Sequence, residues 1–469
     1  MSIYEMQLAA LDKRMHPDIN FDTVRKELLF GGKVKCVYYY VNGFGNGELT
    51  EKIIEYILEN RQALEYLGQD DNKFINSAIP FAEVSPKCSV DECACSIMSG
   101  CSALIVDGFA GYIVIDTRNY PKRSIEEPQK DRVLRGAHDG FVEALVPNSA
   151  LIRRRIRSSE LIFRKVTLGS ASGTDLLVCY MDDRADHDFV SKIMEKLDKI
   201  DVDALSMGQE TLIELLLGKR VWNPFPRVRF SERPDSAAAM LLEGSVIILC
   251  DNYPSAMILP TSFFTFLQDT DDFYFPPLIG GYLKFIRLSI YFFSLMLMPI
   301  WFLLVSNPQY VPETLSFILI KEEAMIPLIL QLLLTDIVID GLKIASLNTP
   351  DTLTNSLSII GGLLLGDIAV QVGWLCPEVI FYMSFVAIAN FTQTSYELGY
   401  AFKLLRLLTL VLINFFNLYG LIAGVLITVV LIATVPTLEG SKGYLYPLIP
   451  FNARALFRLL FRAKAGKKS

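Results

Sequence analysis

The residues of this chain best placed for chemistry are ionisable and amide side chains set inside long apolar stretches. Asp336, Asp340 and Lys343 stand in one such stretch, and Asp367 and Gln371 in the next. Glu378 opens a further one, which Asn390, Gln393 and Glu397 close. A charge surrounded by hydrocarbon is costly, so such groups face a bundle interior, a partner or an aqueous path. Asp336, Asp340 and Lys343 are spaced by four and three residues, which puts them on one face of a helix. Two readings follow. In one, an Asp340–Lys343 pair ties helices together. In the other, Asp336, Asp340, Asp367, Gln371, Glu378, Asn390, Gln393 and Glu397 line a route for ions or protons.

Other candidate chemistry is weaker. Cys88, Cys93, Cys95 and Cys101 fall within a short segment and are four potential thiolate ligands for zinc. Their spacing, C-x4-C-x-C-x5-C, is not that of two C-x-x-C knuckles, and a loop with incidental thiols is the plainer reading. Gly43, Gly45 and Gly47 form G-x-G-x-G rather than G-x-G-x-x-G, and no P-loop lysine follows. They read as a strand-to-helix turn. His16, His138 and His187 accompany no nucleophile motif, and G-x-S-x-G, Walker and H-E-x-x-H patterns do not occur. No enzyme activity and no cofactor is expected.

These residues must be positioned by two kinds of chain. Of the 469 residues 52% are hydrophobic, but the excess lies beyond about residue 278. There, apolar tracts of membrane-spanning length follow one another: Leu283–Val305, Ala324–Ala345, Leu357–Trp374, Val379–Phe391 and Leu404–Val435. As one straight helix the last would be roughly 48 Å long at 1.5 Å per residue, well over a hydrocarbon core of roughly 30 Å. A hairpin bent near Asn417–Gly420 resolves this. Lys284 and Arg287, Lys403 and Arg406, and the basic tail from Arg454 to Lys468 then all lie on the cytoplasmic side, with about six segments. The net charge of −7 argues against nucleic acid, and the tail suits anionic headgroups of a bilayer. Acidic and basic residues within the first twenty leave no secretory leader, which places the head in the cytoplasm, where eight cysteines stay reduced.

Before residue 278 the pattern is α/β. Lys35–Val41, Ser102–Val106, Gly111–Asp116, Leu161–Thr167, Leu176–Tyr180, Val246–Cys250 and Ala256–Leu259 read as strands, with hairpin turns at Asp107-Gly108 and Asp251–Pro254. Helices are expected over Glu48–Leu67, Asp188–Lys199, Gln209–Leu217 and Ser236–Leu242. The expected organisation is an α/β subdomain over 1–150, a second over 151–277, an all-α polytopic membrane domain over 278–437, and a basic cytoplasmic tail over 438–469.

Several long motifs occur in a familiar order. They are Arg135-Gly136-Ala137-His138-Asp139-Gly140-Phe141-Val142-Glu143, then Leu151-Ile152-Arg153-Arg154-Arg155-Ile156-Arg157, then Asn223-Pro224-Phe225-Pro226 and Ser231-Glu232-Arg233-Pro234-Asp235. Leu259-Pro260-Thr261-Ser262-Phe263-Phe264 and Ser358-Ile359-Ile360-Gly361-Gly362-Leu363 follow. With these the chain resembles the A-type subunits of the GerA class of spore germinant receptors. Ala137-His138-Asp139, where those subunits carry proline after Arg-Gly, draws it toward the stage V sporulation protein AF group. The resemblance implies a protein of the spore inner membrane, assembling as a homo-oligomer into a channel that releases monovalent cations early in germination. A small membrane protein and germinant receptors are the implied partners. It also implies a family role in assembly for Arg135, Gly136, Gly140, Phe141, Glu143, Arg153, Arg154, Arg155, Glu232, Arg233, Pro234 and Asp235. A secondary transporter for a small metabolite and a non-conducting germination scaffold are the alternatives.

Overall fold

The computed structural model describes residues 2–44, 47–79, 83–118, 137–205, 208–218, 222–268, 275–321, 324–347, 366, 368–438, 443–453 and 456. Arg135, Gly136, Asp367, the Ser358–Leu363 motif, most of the expected Leu357–Trp374 segment and the basic tail lie outside them. The chain divides into two compact units. The first comprises Met1–Lys219, Val228–Thr261 and Thr437–Ser441, and the second Arg220–Arg227, Ser262–Pro436 and Lys442–Ser469.

The first unit is one supersecondary pattern used twice. Its first copy runs α1 (Ile3–Met15), β1 (Thr23–Phe30), β2 (Val34–Val41), α2 (Gly47–Glu59), α3 (Asp71–Ala78), β3 (Val84–Lys87), α4 (Val90–Met98), β4 (Ser102–Val106) and β5 (Tyr112–Ile115). The second copy runs α5 (Leu145–Arg155), β6 (Leu161–Leu168), β7 (Thr174–Met181), α6 (His187–Asp198), α7 (Gln209–Leu217), β8 (Arg229–Ser231), α8 (Pro234–Leu242), β9 (Val246–Cys250) and β10 (Ala256–Leu259). The strand orders are β1-β2-β4-β5-β3 and β6-β7-β9-β10-β8, and every pairing is antiparallel. The registers correspond as well: Tyr38 stands opposite Leu104 as Val178 stands opposite Ile248. Gly100 and Gly244 end the equivalent helices α4 and α8 at φ +96° and +91°, a conformation that only glycine adopts without strain. The β4–β5 and β9–β10 turns place Gly108 and Asn252 at φ +95° and +67°, as tight hairpins require.

Both faces of each sheet are covered by helices, so the central strands are buried along their whole length rather than alternately. Val37, Tyr39, Ala103 and Ile105 pack with residues of α1 and α4, whereas Cys36, Tyr38, Leu104 and Val106 pack with α2 and α3. In the second copy Leu177, Cys179, Ile247 and Leu249 meet α5 and α8, and Leu176, Val178, Ile248 and Cys250 meet α6 and α7. This doubly covered antiparallel arrangement explains why β2, β4, β7 and β9 read as continuous apolar runs.

Two expectations change here. The helix expected to reach Leu67 stops at Glu59, and Gln62–Tyr66 forms a separate 3-10 turn. The cysteine segment is not a loop: α4 carries Cys93 and Cys95, and Cys93 and Cys101 are buried in the apolar core. Among the described residues no group of His, Cys, Asp or Glu is arranged to hold a metal ion.

The second unit is helical: α9 (Pro277–Ser306), α10 (Leu328–Leu347), α11 (Pro377–Phe391), α12 (Tyr396–Phe416) and α13 (Leu418–Ala433). Leu278–Ser306 and Tyr396–Phe416 are long and apolar enough to cross a membrane. The chain reverses at Asn417, whose φ of +54° ends α12 and starts α13, so the last apolar tract is two helices and not one. Small residues make that reversal compact. Gly420, Gly424 and Thr428 are buried, one turn apart, and a Cβ at Gly420 would overlap the Leu412 carbonyl. The segment around Asn223–Pro226 belongs to this unit. Phe225 packs edge-on against Phe263 and Phe402, Asn223 donates to the Leu431 carbonyl at 2.9 Å, and Tyr444 donates to the Pro226 carbonyl at 2.8 Å.

Candidate functional site

Four charged residues of the helical unit, Asp336, Asp340, Lys403 and Arg406, meet where α10 packs on α12. Ser395 caps this helix by accepting the Leu398 N–H at 3.3 Å, so it begins well before the apolar tract and carries Lys403 and Arg406 in its middle. Neither is a flanking cation: Arg406 is fully buried and Lys403 is 6% exposed. Both are enclosed by neighbouring helices of the same unit. They stay inside because α10 presents carboxylates to them. Asp336 accepts from the Arg406 guanidinium through both oxygens, at 2.9 and 2.8 Å. Lys403 Nζ lies 3.2 Å from Asp336 Oδ1 and 2.5 Å from Asp340 Oδ2, and donates to the Asp336 main-chain carbonyl at 3.1 Å. Arg406 also donates to the Ser294 carbonyl of α9 at 2.9 Å, while its Nε has no hydrogen-bond partner.

An amide layer adjoins these charges. Ser294 Oγ donates to Asn390 Oδ1 at 3.0 Å, and Gln393 Nε2 donates to Ser294 Oγ at 3.1 Å. Gln393 is buried, and its Oε1 has no partner where it faces the open side of Gly399. Lys343 lies 4.7 Å from the ring centroids of both Tyr396 and Tyr400. Asp340, Lys343, Asn390, Tyr396, Gly399, Tyr400 and Lys403 together line a crevice of about 20 Å³, the space of one water.

Of the residues expected along an ion route, the structure thus gathers Asp336, Asp340, Asn390 and Gln393. Gln371 is exposed, Glu397 lies on the exposed side of the first turn of α12, and Glu378 stands in the first turn of α11 with Oε2 buried and without a partner. Lys403, Arg406 and Ser294 complete the cluster, and the sequence reading did not include them. Lys403 and Arg406 nonetheless carry a signal: two cations about three to four helical turns from the tip of an apolar hairpin need buried carboxylates.

The family motifs converge elsewhere, within the first unit. Arg155 holds Asp139 at 2.5 and 2.7 Å, Arg233 donates to the Ala137 carbonyl at 3.1 Å and to Asp235, and the Phe141 N–H donates to the Glu232 carbonyl at 2.8 Å. Pro234 occupies the first turn of α8, and the Asn252 N–H donates to the Glu143 carbonyl. Gly140 follows Asp139 in this pinned segment, and Arg154 lies beside the buried Arg153 at the end of α5. The arrangement braces the second sheet.

Comparison with known proteins agrees with the breadth of these motifs. Stage V sporulation protein AF of Bacillus subtilis is 39% identical over 449 residues, covering 95% of this chain and 89% of that protein. The uncharacterized membrane protein YfkQ of the same organism is 27% identical over 94% of this chain and 86% of its own length. Among solved structures, the N-terminal domain of the A subunit of the Bacillus megaterium spore germinant receptor GerK3 matches with a TM-score of 0.42 and 25% identity, over 55% of this chain and 94% of that domain. Residues 9–469 match the family described as Bacillus/Clostridium GerA spore germination protein, and the chain belongs to that family.

Proposed function

We propose that this protein is an ion-conducting membrane subunit that promotes early ion release in spore germination. Family membership supports the role in germination or sporulation. The observation that carries the conducting role is the crevice in the helical unit, where Asp340, Lys343, Asn390 and Lys403 come together between apolar helices. Charged and amide groups are retained at such depth chiefly for a polar route or for pairing. In this reading the helices of the second unit span the spore inner membrane and the two-sheet unit lies in the cytoplasm. The subunits form a homo-oligomer around a route for monovalent cations, with germinant receptors or a small membrane protein as partners.

A second reading has its own support. Asp336, Asp340, Lys403 and Arg406 compensate one another within a single chain, as in a non-conducting scaffold. Efflux from liposomes loaded with potassium separates the two. A conducting subunit releases potassium passively, with weak temperature dependence, and Asp340→Asn or Asn390→Leu alters rate or selectivity. Silence from well-folded protein, alone and with its co-purifying partner, would sink the conducting role.

A further inference from the structure

Two segments of the helical unit are fixed to the end of its last hairpin, and both turn large apolar side chains outward. Asn223 donates to the Leu431 carbonyl in the last turn of α13, and Phe225 packs edge-on against Phe263 and Phe402. Tyr444 meets the Phe263 ring as well, and it donates to the Pro226 carbonyl at 2.8 Å. The Phe263 N–H donates back to the Tyr444 carbonyl at 2.8 Å. Beyond Tyr444 the chain forms a hydrogen-bonded turn, in which the Tyr446 N–H meets the Gly443 carbonyl and the Ile449 N–H the Leu445 carbonyl. Yet Trp222, next to the anchored Asn223, is 90% exposed, and Ile449 and Phe451 on the second segment are 63% and 70% exposed. Three large apolar side chains are thus held outward by segments whose own contacts are buried.

What covers them is indicated by the helix beside them and by the charges around them. The ridge of α13 that ends at this level is itself exposed and apolar, through Ile422, Leu426 and Val429. In sequence, Lys219 and Arg220 come shortly before Trp222, while Arg454, Arg458, Arg462, Lys464, Lys467 and Lys468 follow Phe451 with no acidic residue among them. We propose that Trp222, Ile449 and Phe451 form an interfacial anchor, seated at the headgroup level of an anionic bilayer where α13 leaves the hydrocarbon. An indole suits that depth, because its ring buries apolar area while its N–H stays within reach of headgroups or water. Apolar side chains beside a polybasic stretch supply the two signals that together hold a segment on a membrane surface. The inference rests on the reading of the helical unit as membrane-spanning, and adds which residues and which lipid class meet at its basic end.

Fluorescence of the full-length protein in bilayer nanodiscs tests this without reference to conduction. The chain has three tryptophans, so the Trp222 signal is the difference between the parent and Trp222→Phe, a substitution at an exposed position. The nanodiscs contain phosphatidylglycerol, with bromine placed either high on the acyl chain or deep within it. Trp222 should lose roughly twofold more emission to the shallow bromine than to the deep one, as a ring at headgroup level does. Phe451→Trp in the Trp222→Phe background should give the same order, and both signals should be less quenched when phosphatidylcholine replaces phosphatidylglycerol. A Trp222 signal that shallow bromine does not reach overturns the anchor: free quenching by acrylamide would place the ring in water, and protection from both quenchers would place it against protein. Equal quenching in the two lipids overturns the anionic preference. Leu426→Trp in the Trp222→Phe background, on the exposed ridge of α13, separates this failure from that of the membrane reading. Deep bromine quenching at position 426 with none at Trp222 leaves the span standing and removes the anchor, whereas no bromine quenching at either position removes both.

Discussion

Arg153 of α5 and Asp22, just before β1, form a two-pronged ion pair with both residues fully buried: Nε to Oδ2 at 2.9 Å and a terminal nitrogen to Oδ1 at 3.0 Å. The pair joins the two copies of the repeated fold. Arg153 further donates to the Ser158 and Leu161 carbonyls and lies 4.7 Å from the Phe163 ring centroid, while the Phe21 N–H donates to the Phe163 carbonyl. One arginine of the Leu151–Arg157 motif therefore acts in architecture.

Removing one partner leaves the other charge buried and unpaired. Asp22→Ala or Arg153→Ala is expected to cost about 3–5 kcal/mol, with Arg153→Lys also destabilised because it loses the planar fork. Chemical denaturation of the variants would show the loss. Midpoints within error of the parent would refute the assignment.

The α12–α13 reversal yields a graded prediction. A methyl at Gly420 meets backbone of Leu412 and Ile413, which cannot yield, whereas at Gly424 it meets the Thr409 side chain. Gly420→Ala should be destabilised by about 1–3 kcal/mol or more through overpacking. Gly424→Ala should be milder and relieved by Thr409→Ala. Melting of the purified proteins in detergent ranks the three, and the reverse ranking would contradict this helix contact.

The Asp336–Arg406 pair should show the asymmetry of buried ion pairs. Asp336→Leu alone leaves Arg406 with the Ser294 carbonyl as its remaining acceptor and should cost about 3–5 kcal/mol, while Asp336→Leu/Arg406→Met should recover most of that loss. Loss of folded protein in the double variant beyond that in the single one would show that the network is needed for more than charge balance.

Thiol reactivity should divide the cysteine segment. Burial pushes the Cys93 thiol up to about 12, so near pH 8 only about 10⁻⁴ of it is thiolate. Cys88 and Cys95 are exposed. Mass spectrometry after maleimide treatment of the native protein should find Cys88 and Cys95 labelled first. Cys93 should react only as pH rises toward its pKa or on unfolding, because the raised value keeps it protonated below that point. Early labelling of Cys93 would place it outside the core.

Local pattern sufficed where neighbours in sequence are also neighbours in space. Ser102–Val106, Val246–Cys250 and Ala256–Leu259 are strands over the expected residues, and the Asp-Gly and Asp-Asn steps between such runs turn as tight hairpins. The motifs around Arg135–Glu143 and Ser231–Asp235 sufficed to identify the GerA family. The short strand β8, by contrast, is three residues long and carries too little periodicity to declare itself.

Tertiary structure decided what depends on distant partners. The doubled fold is defined by β-sheet register, which the two copies share although their side chains differ. The cysteines of α4 lie in a helix because Cys93, Ala94 and Ile97 have a sheet to pack against. Lys403 and Arg406 look like interfacial cations along the chain and are buried in space, because Asp336, 70 residues from Arg406, meets them across the helices. A charge belongs inside or outside according to what neutralises it, and that partner is chosen by the fold.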